Sequence, residues 1–179
     1  MVLGYIGLMF EVLVFVYENY WRGDACPEGE HLQRKLHAVG FENDEIEEAL
    51  AWLNGLKLAA HGTQHPSEAS DGTLSRAAPG VPVMLAKPSS TSMRVYSALE
   101  QEQLGAECLG YICFLEAAGV LPAHMREVVL DRAMAVPESP VGVDDLKIIV
   151  LMVYWSFGEE PDALVLDELC EDASDRIAH

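Results

Sequence analysis

The chain has 179 residues, half of them hydrophobic and 22% charged, with 29 acidic residues against 11 basic ones and a formal net charge of -18. This is a globular composition with enough apolar material for a core. It argues against a nucleic-acid binder or a binder of anionic membranes, because both surfaces are polyanions that recruit Lys and Arg.

Residues 1–21 open with a strongly apolar run. It lacks the basic n-region and small-residue cleavage site of a signal peptide. Glu11 interrupts it, and Glu18 and Asn19 close it, so it falls short of the roughly 20 apolar residues of a spanning helix. The reading is a buried helix over residues 9–21, preceded by an extension over residues 1–8. Gly23, Pro27 and Gly29 then punctuate a loop.

A second helix over Glu30–Val39 places Leu32, Leu36 and Val39 on one face and stops at Gly40. Asn43 or Asp44 caps a third helix, with Ile46, Leu50 and Leu53 inward and Ala49 and Trp52 beside them. Its other side carries Asp44, Glu45, Glu47 and Glu48. Carboxylates in a first turn oppose the positive end of the helix dipole, which accounts for much of this cluster.

Residues 61–91 are dominated by Gly, Pro, Ser, Ala and Thr. They read as a flexible linker with residues 81–85 as a docking patch inside it. Beyond it, Met93-Arg94-Val95-Tyr96 alternates as a short strand does. Ser97 and Glu100 have the spacing of a capping box. Leu104, Cys108, Tyr111, Leu115 and Ala118 then recur at helical spacing, Ile112 and Phe114 widen the face, and Gly119 ends it.

A helix over residues 122–135 carries Met125, Val128, Val129 and Met134 and stops near Pro137. Pro140 and Gly142 make a turn, and Asp144 caps the next helix. Residues 146–157 are apolar all round apart from Lys147 and Ser156, the pattern of a helix enclosed by others. Gly158 ends it. A last helix over residues 162–172 carries Leu164, Val165, Leu166 and Leu169.

One spacing recurs. Leu36-x-x-x-Gly40-Phe41, followed by Ile46 and Leu50, matches Leu115-x-x-x-Gly119-Val120, followed by Met125 and Val129. Both read as helix, glycine turn, helix, which fits either a duplicated unit or two instances of a common turn.

Chemistry is sparse. Cys26, Cys108, Cys113 and Cys170 form no CxxC pair and read as reduced thiols. His31, His37, His61, His65, His124 and His179 form no zinc-ligand spacing. No nucleophile elbow, Walker loop or dinucleotide fingerprint is present. A helix–turn–helix reader needs Arg, Lys, Asn or Gln on its second helix, where this chain offers carboxylates. Arg94 and Tyr96 flank the capped helix as a polar contact site or as an anchor between the two halves. Glu116 and Lys147 either pair in the core or lie at exposed helix edges.

The stretches MFEVLVFVYENY, GFENDEIEEALAWL, SMRVYS, CLGYICFLEAAGVL and VDDLKIIVLMVY occur in this order and cover most of the chain outside the linker. Together they resemble the bacterial Smg family, built around a domain of unknown function. The resemblance aligns the family start with Met9. It implies a small cytoplasmic bacterial protein and brings no catalytic residues and no cofactor.

The expected architecture is all-α: helical subdomains at 1–60 and 92–179 joined by a flexible loop at 61–91, with room for one short strand at residues 93–96. The expected function is a non-enzymatic acidic interaction module, without metal or cofactor, that meets a basic or nucleic-acid-associated protein. Its contact residues would be Asp44, Glu45, Glu47, Glu48, Arg94 and Tyr96. An accessory factor contacting nucleic acid directly would need Arg22, Arg34, Lys35 and Arg94 to cluster. An enzyme would need a pocket joining Glu116, Lys147, Tyr96 and Arg94.

Overall fold

The computed structural model describes residues 6–20, 26–27, 29–64, 93–137 and 139–161. Within them lie α1 (Ile6–Asn19), α2 (Glu30–Val39), α3 (Asn43–Gln64), α4 (Ala98–Ala117), α5 (Ala123–Met134) and α6 (Val143–Phe157), and the fold is all-α. The helix expected over 162–172 and the docking patch at 81–85 lie outside the described residues.

The apolar run of α6 decides the architecture. Every residue from Leu146 to Trp155 is buried, so the helix needs neighbours on all sides. It finds them in α1, α3, α4 and α5. Helices α1, α3, α5 and α6 form a closed ring of packed neighbours, α2 lies on α3, and α4 lies on α5 and α6. Both sequence halves therefore feed one apolar cluster, from Phe10, Leu13 and Leu56 to Ile112, Met125 and Ile149.

Polar side chains bolt the halves together. Trp52 Nε1 donates to the Arg132 carbonyl at 3.1 Å, and Arg132 Nη1 donates back to the Trp52 carbonyl at 3.3 Å. Trp155 Nε1 donates to the Tyr20 carbonyl at 2.6 Å. Each bond satisfies a polar group at the edge of the core, where an unmade bond costs about 1–3 kcal/mol.

Three helices end in the same way. Gly40, Gly119 and Gly158 have φ of 117°, 73° and 67°. In each case the next residue's N–H reaches back five residues, from Phe41 to Leu36, Val120 to Leu115 and Glu159 to Tyr154. This is the Schellman closure, which satisfies the last carbonyls of a helix. The repeated Leu-x-x-x-Gly spacing thus marks two of three such turns.

Helix α4 is not continuous. Gly105 sits at φ 67°, ψ 174° inside it, which frees turns on either side. The loop after α5 fills the gap. Val141 N–H donates to the Gln103 carbonyl at 2.7 Å, Gln103 Nε2 donates to the Val136 carbonyl at 2.9 Å, and the Cys108 thiol donates to the Val141 carbonyl at 3.2 Å. The same loop holds a cis Ser139–Pro140 bond.

Several local expectations need correction. Residues 93–97 form no strand: Met93 and Val95 do alternate with Arg94 and Tyr96, but no second strand among the described residues supplies a ladder. Asp144 lies in the first turn of α6, whose cap is Gly142 without a side-chain bond. Helix α3 continues through His61 to Gln64, taking the first residues assigned to the linker. Val39 and Phe114 face outward rather than into the core. No helix among the described residues is long and apolar enough to cross a membrane.

Candidate functional site

The start of α4 gathers the densest polar chemistry among the described residues. Ser97 caps the helix as a capping box: Glu100 N–H donates to Ser97 Oγ, and Ser97 N–H donates to Glu100 Oε2. The same Glu100 carboxylate receives Arg94 through two bonds, Nη2 to Oε1 at 2.7 Å and Nη1 to Oε2 at 3.0 Å. Arg94 Nε and Nη2 also reach Glu127 of α5, each at 3.1 Å. Glu127 in turn binds Arg126, and Arg126 pairs with Glu116 on α4. The result is a chain of alternating charges, Glu100–Arg94–Glu127–Arg126–Glu116, that ties residues 93–97, α4 and α5 together.

Titration follows from this geometry. The guanidinium of Arg94, with the Ser97 N–H, holds the Glu100 carboxyl down at about 2 against a burial penalty that acts the other way. Burial opposes ionisation of Glu127, but its bonds from Arg94 and Arg126 outweigh that and lower it. Arg94 is raised by Glu100 first and Glu127 second. Tyr96 lies under the Arg94 guanidinium, 4.8 Å from carbon to ring centroid. Burial first, then Cys113 and Glu116 nearby, pushes its hydroxyl to about 12, and among the described residues no acceptor or donor meets that oxygen at hydrogen-bond distance.

Arg94 is therefore spent internally: a guanidinium gripped by two carboxylates offers little to an outside anion. Arg94 ties residues 93–97 to α4 and α5 within the C-terminal half; none of its bonds among the described residues reaches the N-terminal half. The suggested Glu116–Lys147 pair does not form, because Glu116 binds Arg126. Lys147 is buried at the start of α6, with Nζ 5.9 Å from the Tyr111 ring centroid. Burial raises the Cys108 thiol to about 11, which keeps it protonated as a core group.

The acidic turn of α3 lies elsewhere. Asp44, Glu47 and Glu48 are exposed, whereas Glu45 is buried, its Oε2 accepting from the Glu42 N–H at 3.1 Å. Glu45 therefore belongs to the helix start, as the third residue of a cap. The sequence signal was available: Glu42 and Glu45 have the cap-to-third-residue spacing, but neighbouring acids obscured it. No bond among the described residues joins this turn to Arg94 and Tyr96.

Cavities open between the described helices. One of about 470 Å³ lies between α2, α3 and α6, walled by Leu32, Leu50, Leu53 and Trp155, with Asn54 and Lys57 as polar members. Another of about 280 Å³ lies between α1, α3 and α5, beside Met9, Trp52 and Arg132. Neither contains the residues of the Arg94 chain. Among the described residues, no group of three or more His, Cys, Asp and Glu is placed to hold a metal ion.

A family model described as "Protein of unknown function (DUF494)" matches residues 9–179. The chain is 55% identical over 171 residues to a protein of Methylibium petroleiphilum named "Protein Smg homolog", covering 96% of this chain and 100% of that protein. Proteins of the same name from Leptothrix cholodnii and Bordetella pertussis are 54% and 44% identical over the same coverage. No solved structure matches the chain.

Proposed function

The chain belongs to the Smg family, the DUF494 proteins, and from that premise we propose that it is a cytoplasmic, non-enzymatic adaptor whose acidic surface meets a basic protein. The observation that carries the reading is how the charges are distributed. Every described helix carries at least one exposed carboxylate. Of the described cations, only Arg34 and Lys35 are exposed. Arg94, Arg126 and Arg132 are tied to carboxylates, and Lys35 leans over the Tyr20 ring.

A surface with this sign speeds encounter with a positively charged partner and repels phosphates. It disfavours direct binding to nucleic acid: of the cations that reading would gather, Arg94 is neutralised by Glu100 and Glu127, and Arg22 lies outside the described residues.

The test is affinity capture of the full chain from its own lysate, with nuclease, at low and high salt. The wild type is compared with an Asp44→Lys/Glu47→Lys/Glu48→Lys variant that keeps the buried Glu45. Capture of a basic protein that survives nuclease, is released by salt and is lost in the variant supports the reading. Capture of nucleic acid, or undiminished capture by the folded variant, overturns it.

A further inference from the structure

The segment before α4 presents an apolar strip that the fold does not use. Met93, Val95 and Leu99 are 90%, 85% and 68% exposed, among the most exposed large hydrophobic residues of the described chain. Singly exposed apolar side chains are ordinary. Three of them within seven residues are less so, because their burial is worth free energy that a solvated strip forgoes.

The strip is held in place from behind. Met93 and Val95 alternate with the inward Arg94 and Tyr96, and Arg94 is clamped by Glu100 and Glu127. Arg94 Nη1 also donates to the Val95 carbonyl at 2.9 Å, and Gln101 Nε2 donates to the Tyr96 carbonyl at 2.8 Å. Five side-chain bonds from Arg94 therefore fix an irregular segment that has no ladder of its own. A surface ordered before binding loses less entropy on binding. Among the described residues the Val95 N–H has no backbone acceptor, a main-chain donor that an extended occupant could use.

Charge selects among occupants. Glu102 stands three residues beyond Leu99, on the neighbouring turn of the helix surface, exposed and in no ion pair among the described residues, whereas Glu127 is already held by Arg94 and Arg126. A second copy of this chain would bring a formal charge of -18 against the same charge. We propose that Met93, Val95 and Leu99 form the docking strip for a protein segment with apolar side chains flanked by Lys or Arg. This rests on the adaptor reading and names the surface and the segment chemistry that reading leaves open.

The test places a photo-reactive benzophenone side chain at Val95 or Leu99 of the full chain, irradiates it in lysate and sequences the crosslinked peptide. The expected product is a peptide of another protein, apolar with Lys or Arg at its flanks. Its synthetic copy should bind the full chain and lose about tenfold in affinity to a Val95→Ser/Leu99→Ser variant with an unchanged melting temperature. A crosslink to residues 61–92 of the same chain, to a second copy, or to a segment without basic flanks overturns the proposal, as does no crosslink.

The two readings separate cleanly. Salt-sensitive capture that depends on Asp44, Glu47 and Glu48 but gives no crosslink at 95 or 99 sinks the strip and leaves the adaptor. Loss of both sinks both.

Discussion

Two glycines of α4 should respond to the same substitution with opposite signs. Gly105 has φ 67° and ψ 174°, a region open essentially to glycine, whereas Gly110 is an ordinary helical, exposed position with nothing within 4 Å of an added β-carbon. An added β-carbon at Gly105 would approach only Pro140 Cβ, at 4.0 Å, so steric overlap contributes nothing. The cost is conformational, about 1–3 kcal/mol, less about 0.4–1 kcal/mol for the stiffer unfolded chain. Straightening the helix instead would strip Val141 N–H of its bond to Gln103, itself a loss of about 1–3 kcal/mol. Either route leaves Gly105→Ala destabilised by about 1–2 kcal/mol, while Gly110→Ala gains about 0.5–1 kcal/mol from helix propensity. Urea denaturation of both variants, with matched m-values, reads the difference. Equal shifts, or a stabilised Gly105→Ala, would refute the claim that the break in α4 is built into the backbone.

Further expectations concern the bonds between elements. Glu100 titrates at about 2 in the folded chain and at about 4.5 ordinarily, so its contribution is complete above 4.5 and is lost as pH falls toward 2; Glu100→Gln should flatten acid unfolding in that window, followed by circular dichroism. Tyr96→Phe removes a buried hydroxyl that has no partner among the described residues and should raise stability by up to about 1 kcal/mol in the same urea assay. A β-carbon on Gly55 would lie 1.8 Å from Arg132 Nη1, so Gly55→Ala should displace the guanidinium and cost about 1 kcal/mol. In an Arg132→Ala background that cost should vanish, a coupling that a double-mutant cycle measures directly.

Periodicity made most of the helices legible. The second helix falls on Glu30–Val39 as read, the capping box at Ser97 is formed, and the apolar run of α6 is the buried centre its composition demanded. The break in α4 was hidden because glycine within an apolar helix pattern signals weakened propensity, not a specific φ. The strand signal at residues 93–96 misled because alternation reports which side chains face inward, and here Arg94 does so for its ion pairs while Tyr96 packs its ring against the core. The polar chain beyond Arg94 was half visible. Arg94 was singled out from its place beside the cap, but Arg126 and Glu127 sit on another helix, and no sequence spacing connects residues 33 apart. Glu45 shows the opposite error: a carboxylate counted with its exposed neighbours that the helix start claims for itself.

The position of α6 has a consequence for how the chain is made. It packs against α1 and α3, yet its residues are synthesised more than 120 positions after those of α1. Chains fold from the N-terminus as they emerge. Until α6 arrives, the apolar faces of Phe10, Leu13, Ile46 and Leu56 have no central helix to close over. The nascent protein therefore spends most of its synthesis with an unfinished interior. A ribosome stalled before residue 143 should present an aggregation-prone client for chaperones in place of a stable half-molecule.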